Sequence, residues 1–209
     1  MFNIKETYHM KTVLMGAIAA LFVAGSATAQ DFNDTQAFVD VEVGKLTFGI
    51  EASEQSGFTG LEFDYEVLAY PLGAGTSTLD LGVTYFDSSE TITIDAIYAV
   101  RMPAAPTVDV YGSVELNYVA SSELAVEGDV FGTPEVGVEW YASDTTSMFG
   151  EVGYVFNLSN DVSNVGAYAE VGMNWDVADN ITFTPSVVHT FDGPGADVTE
   201  ARVGLTLRF

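Results

Sequence analysis

Acidic side chains in this chain recur at every second position, as in Glu62-Phe63-Asp64-Tyr65-Glu66 and Asp40-Val41-Glu42. On a β-strand that spacing collects the carboxylates on one face and the apolar side chains on the other. Asp80, Asp95, Asp109, Glu115, Glu135, Glu139, Glu151, Glu170 and Asp176 take the polar parity of their own alternating stretches. A row of ionised carboxylates attracts cations, and acidic rings in pores favour cation passage. Calcium ligation is not expected from this spacing, because period two describes any solvated strand face equally well.

Other chemistry finds little support. Beyond the leader region described below, the chain has one histidine, His189, whose parity with Phe183, Val187 and Phe191 turns it towards an apolar face, away from any nucleophile. Cysteine is absent, which removes disulfides and thiolate metal centres. Gly73-Ala74-Gly75 and Gly193-Pro194-Gly195 read as turns, since neither opens a helix that would cradle a phosphate. The 30 Asp plus Glu stand against 6 Lys plus Arg, for a formal charge of -24, and such a balance repels nucleic acid. The chain reads as a non-enzyme, with no catalytic residue, cofactor or metal expected.

Met10-Lys11, the apolar run from Val13 to Ala24 and the closing Ala27-Thr28-Ala29 read as a secretory signal peptide over Met1–Ala29, with Met10 as an alternative start and cleavage after Ala29. The apolar run is shorter than the about 20 residues that a spanning helix needs. From Gln30 to Phe209 the chain has no longer apolar run and no linker, and reads as one domain. Alternation places strands at Ala37–Ala52, Thr59–Leu72, Thr78–Asp87, Thr91–Met102, Val108–Ala120, Glu135–Ala142, Ser147–Leu158, Val165–Val177, Ile181–Phe191 and Val198–Phe209. A β-bulge at Gly44-Lys45 accounts for the phase change from Val39, Val41 and Val43 to Leu46, Phe48 and Ile50. A hairpin at Gly44-Lys45 would change the count, and about eight or twelve strands are the alternatives to about ten. Short turns at Gly73–Gly75, Pro103–Pro106, Ser143–Thr146 and Ala178–Asn180 form one end and place both termini there, while the longest loop, Ser121–Pro134, lies at the other.

The last stretch alternates without a slip: Ala201, Val203, Leu205, Leu207 and Phe209 share one face, and Arg202, Thr206 and Arg208 the other. Behind a signal peptide, this ending resembles the closing strand of small bacterial outer-membrane β-barrels of the porin-like and opacity-like type, and the alternating pattern extends the resemblance over the mature chain. The resemblance implies an all-β, antiparallel up-and-down transmembrane barrel of about ten strands, exported through the periplasm to the outer membrane. It implies that Val203, Leu205, Leu207 and Phe209 form the signal read by the barrel-insertion machinery, and that outer-membrane lipid is the surrounding partner. Passive diffusion, envelope stability and adhesion are the roles such barrels fill, and the short acidic loops here argue against adhesion. Tyr85, Tyr118, Phe156 and Phe191 near the loop end, with Tyr98, Trp140, Trp175, Phe183 and Phe209 near the turn end, fit two aromatic girdles.

Alternation leaves the two faces interchangeable, so a soluble periplasmic β-barrel or sandwich that binds an apolar ligand is the alternative. In the membrane reading Glu62, Asp64, Asp80, Asp95, Asp109, Glu115, Glu139, Glu151 and Glu170 line the lumen, together with the bases Arg101 and Arg202. Two ionised carboxylates ~6 Å apart at an effective dielectric of ~20 repel by roughly 3 kcal/mol. Lys45, Arg101, Arg202 and Arg208, the bases that follow the leader, cannot neutralise so many acids, and water, small cations or protonation must help. Two roles follow: a hydrated lumen that passes small cations, or a structural barrel filled by bulk such as Tyr70, Phe86, Tyr111, Tyr141, Phe149 and Tyr168. In the filled barrel Arg101, Arg202 and Arg208 are the bases available for internal ion pairs. Replacing Arg202 with Met is therefore expected to lower the unfolding temperature of the barrel, and an unchanged temperature would remove Arg202 from that role.

Overall fold

The computed structural model describes residues 34–53, 59–87, 90–121, 126–159, 166–191 and 197–209. The leader expected over Met1–Ala29, its cleavage site and the Gly193-Pro194-Gly195 turn lie outside the described residues. Twelve strands follow one another: β1 (Asp34–Val43), β2 (Leu46–Ser53), β3 (Thr59–Leu72), β4 (Gly75–Phe86), β5 (Thr91–Ala105), β6 (Val108–Ser121), β7 (Val126–Ser143), β8 (Thr146–Tyr154), β9 (Phe156–Asn157), β10 (Ala167–Ala178), β11 (Ile181–Phe191) and β12 (Val198–Arg208). Their Val, Ile, Thr and aromatic content and strict alternation suit a pleated sheet with two unlike faces. Neighbours pair antiparallel from β1 through β8, β10 and β11 to β12, and β12 returns to β1 to close the ring. The two-residue β9 only continues β8 along β7 after a break at Val155, so among the described residues the 12 strands less β9 leave 11 in the ring. At 14, 15 and 18 residues, β3, β5 and β7 exceed the length of about 9 to 11 that a tilted strand needs to cross a bilayer.

Gly44-Lys45 is a hairpin, not a bulge. The register runs from Gln36↔Ser53 to Val43↔Leu46, and Gly44 takes a φ of 66°, which the first residue of a tight hairpin turn requires and which glycine adopts without steric cost. Val43 and Leu46 both face outward across a two-residue turn. Their odd spacing looks, in the sequence, the same as a one-residue phase slip inside one strand. The turn is pinned from the next strand, where Glu66 N–H donates to the Lys45 carbonyl at 2.9 Å.

The extra strand changes how the ring closes. In an up-and-down ring with an odd number of strands, the first and last must run the same way. Here β1 pairs β12 in parallel from Asp34↔Glu200 to Glu42↔Arg208. Asp34 therefore stands at the loop end, while Phe209 stands among the short turns, its N–H donating to the Glu42 carbonyl at 2.9 Å. The expectation that both chain ends share the turn side is overturned, because it rested on an even count.

Two other expectations change. The segment read as the loop Ser121–Pro134 is largely the first half of β7, paired from Ser121↔Val126 to Val114↔Pro134. A register shift between Val119 and Ser121, and the strand-poor residues Gly128, Asp129, Gly132 and Pro134, conceal its alternation. In β3 a second shift, between Glu66 and Leu68, reverses the parity beyond it and puts Tyr70 on the outer wall opposite Ser77. Tyr70 thus adds nothing to the lumen.

Because the chain has no cysteine, an engineered pair reports the seam without background. Val39 and Leu205 are direct partners on the outer face. The double variant Val39→Cys/Leu205→Cys is expected to oxidise to an intramolecular disulfide, since partner spacing in a sheet lies within the span of about 4.4–6.8 Å that a disulfide bridges. A pair that stays reduced in the folded barrel would reject the parallel closure.

Candidate functional site: the acidic lumen

The two faces of the wall are now assigned. Outward Leu61 and Val171 are 56% and 62% exposed, whereas inward Asp95 and Glu139 are 8% and 6% exposed. A soluble barrel has the reverse arrangement, and a closed sheet that turns its apolar side to the surroundings belongs in lipid. The periplasmic ligand-binding alternative does not fit this geometry. Among the described residues no helix is long and apolar enough to cross a membrane. Exposed outward aromatics gather towards both ends, with Tyr85, Tyr118, Tyr154 and Phe191 near the loops and Trp140, Trp175 and Phe209 near the turns. Tyr98 sits midway along β5 instead of at the turn end. Val203, Leu205 and Leu207 take the outer face of β12, where Val39 and Val203 pack with Ala37, Phe183 and Leu205 at the seam. His189 also lies on the outer wall, its Nδ1 2.8 Å from Thr199 Oγ1 and its ring 4.4 Å from that of Phe191.

The registers bring the acids read from the sequence onto the inner face in two unlike groups. On the wall from β1 to β6, Asp40, Gly49 and Glu62 are partners in one row, and Asp64, Gly82 and Asp95 in another. Carboxylate oxygens of Asp40 and Glu62 occupy the space that a side chain at position 49 would need, and those of Asp64 and Asp95 the space at position 82. A third row joins Asp80, through Ile97, to Glu115. Among the described residues no Lys or Arg forms an ion pair with Asp40, Glu62, Asp64, Asp95 or Glu115. Lys45 stands at the turn-end mouth with Nζ 2.9 Å from Glu66, and hydrogen bonding to that carboxylate holds its ammonium above the ordinary range.

Arg202 and Arg208 stand on the opposite wall, and Arg101 reaches towards it from the turn end of β5. Arg101 Nη1 pairs with Glu139, lies 3.6 Å from Asp109 and donates to Tyr141 Oη at 3.0 Å. Glu139 also accepts from Ser147 Oγ and from Asn174 Nδ2 at 3.1 Å. Arg202 reaches Glu170 at 3.4 Å and Glu200 at 3.5 Å, leaving its buried Nε without a partner. Arg208 Nε lies 2.9 Å from Glu42, and its Nη1 donates to Thr182 at 2.7 Å. Tyr111 donates to Glu151 at 2.8 Å, Tyr168 donates to Glu135, and Tyr141 donates to Asp109 at 2.9 Å. These tyrosines, read from the sequence as bulk, are neutral donors that stabilise carboxylates where bases run out. Their shared parity with the acids was visible in the sequence, but their reach to the neighbouring strand or the one beyond it was not. Among the described residues no three His, Asp or Glu converge as a metal-binding group.

Glu139 is the hub of this network, so Glu139→Gln is expected to destabilise the barrel by about 1–3 kcal/mol, the cost of stripping a charged acceptor from several donors. Asp95→Asn, which relieves repulsion on the other wall, should leave stability unchanged or raised. Denaturant midpoints of both variants, followed by tryptophan emission, check the pair, and equal losses would refute the division into two walls.

No protein-family model and no curated protein matches this chain. Among solved structures it is similar to the NanC porin, with a TM-score of 0.61 at 9% identity over 84% of this chain and 97% of that one. It is also similar to the outer-membrane expressed OmpT of Vibrio cholerae, at a TM-score of 0.41, 9% identity and 71% of this chain against 51% of the other. For the outer membrane channel DcaP of Acinetobacter baumannii the values are 0.37, 12%, 77% and 57%. Only the NanC likeness speaks for the fold. A closed ring of strands, apolar outside and acidic inside, in the architecture of a porin, makes this chain an outer-membrane β-barrel of porin-like fold.

Proposed function

We propose that the barrel is a passive diffusion channel whose acidic lumen favours small cations over anions. The observation that carries this reading is the wall from β1 to β6, where Asp40, Glu62, Asp64, Asp95 and Glu115 face the interior without a paired base. Mobile cations are the simplest means of offsetting their mutual repulsion, and a wall that holds cations without trapping them in a closed ligand cage lets them move on. The porin fold supports passage over catalysis, and His189 faces away from the lumen. Val203, Leu205, Leu207 and Phe209 serve assembly: they present an apolar edge to lipid and to the insertion machinery, with Phe209 58% exposed at the turn end.

The network around Glu139 favours a second reading, in which the barrel braces the envelope and the lumen is filled. Planar-bilayer recording decides between them. Protein that migrates faster on gels unboiled than boiled is folded and suitable for recording. In a KCl gradient the channel should show a reversal potential of cation sign with a several-fold preference for K⁺ over Cl⁻, reduced in Asp64→Asn/Asp95→Asn. Folded protein that yields no channel events would end the diffusion reading and leave the bracing role.

A further inference from the structure

Two cavities lie at different heights in the lumen. On the side from β6 to β12, a cavity of about 560 Å³ is lined by Glu135, Glu151, Glu170, Val188 and Arg202 towards the loop end. A second, of about 300 Å³, is lined by Glu139, Ser147, Asn174, Thr184 and Thr206 towards the turn end. Between them each strand contributes one inward residue that lines neither: Gly137 on β7, Phe149 on β8, Gly172 on β10, Ser186 on β11 and Gly204 on β12.

Aromatic rings line this level, each lying over a glycine. Phe149 is the direct partner of Gly172, Phe38 of Gly204 and Tyr111 of Gly137. In each pair the far atoms of the ring occupy the place where a Cβ of the glycine would sit. The rings therefore lie along the wall, over the neighbouring strand, and any side chain at the glycine would drive them towards the barrel axis.

Two observations define the chemistry of this waist. The guanidinium of Arg101 stands 5.0 Å over the Tyr111 ring, so one of the three rings already takes an organic cation on its face. Carboxylates adjoin the rings: Tyr111 donates to Glu151 at 2.8 Å, and the next inward residue after Phe38 is Asp40, the start of the unpaired acidic wall.

We propose that Phe38, Tyr111 and Phe149 form the waist of the channel and make it selective for organic cations, ammonium or guanidinium ions, over hydrated inorganic cations of the same charge. The proposal rests on the diffusion reading above. A strongly hydrated ion must carry its water past three apolar rings, whereas an organic ammonium or a weakly hydrated guanidinium is drawn to ring faces and keeps the adjoining carboxylates as counter-charge.

The test is the permeability of ethylammonium relative to Na⁺, measured from bi-ionic reversal potentials of the purified barrel in planar bilayers. The wild type should favour ethylammonium several-fold. Phe149→Ala and Phe38→Ala should raise conductance and bring the ratio close to one. Gly172→Ala should lower conductance when Phe149 is present and leave it unchanged in the Phe149→Ala background, and heat-modifiable migration confirms that each variant is folded. A wild-type ratio of one, or a ratio indifferent to loss of the rings, overturns the proposal. A silent wild type beside a conducting Phe149→Ala channel refutes passive diffusion while supporting the waist as the barrier. Silence of all folded forms overturns both.

Discussion

In a bilayer a strand cannot leave its N–H and C=O groups to water, so every edge must find a partner, and the whole molecule depends on how the last edge is closed. Here closure falls to β1 and β12, and the Gly44-Lys45 hairpin makes that pair parallel. Parallel bonding is slightly weaker per residue than antiparallel, and contacts on both faces reinforce the seam. Val39, Val203, Phe183 and Leu205 pack together outside, while Phe38 crosses Gly204 and Arg208 pairs with Glu42 inside. The same closure sends Asp34 to the loop end and Phe209 to the turn end of the barrel.

Once lipid takes the apolar side, the acids have nowhere to go but inward, and their repulsion organises the lumen. The wall from β6 to β12 resolves it chemically: Arg202 and Arg208, with Arg101 reaching over from β5, each serve two carboxylates or a carboxylate and a hydroxyl, and tyrosine, serine and asparagine donors reach several of the acids between them. On the wall from β1 to β6, Asp40, Glu62, Asp64 and Asp95 crowd over glycines and, among the described residues, form no ion pair with a base. Glycine thus has two uses in one lumen. At Gly49 and Gly82 it admits carboxylates, and at Gly137, Gly172 and Gly204 it admits rings. The first lets carboxylates crowd together on the inner face, and the second lets rings lie flat along it.

Much of this was legible in the residues. The turns at Gly73-Ala74, Pro106-Thr107, Asp144-Thr145 and Asp179-Asn180 fall inside or at the edge of the expected short connections, and β11 spans the predicted Ile181–Phe191. Period two fixes which side chains share a face over a single strand, which is why Asp80, Asp95, Glu115, Glu151 and Glu170 could be grouped before any partner was known. It breaks wherever the backbone breaks register. Three such places produced the three misreadings: the two-residue turn at Gly44-Lys45, the shift after Glu66 that carries Tyr70 outside, and the shift at Val119/Ser121 that hides half of β7.

By itself the sequence determined that the chain is a set of short alternating strands with one acidic and one apolar face, because that information lies in neighbours two residues apart. It could not say which face met solvent, since a sandwich and a membrane barrel share the alternation. Nor could it say how the ring closes, because strand number parity is decided by one turn. The pairing of Arg101 with Glu139, the crossing of Phe38 over Gly204 and the separation of paired from unpaired acids were decided only by the tertiary structure. Each depends on cross-strand register between residues far apart in the chain, and register is a property of the closed sheet, which no single strand contains.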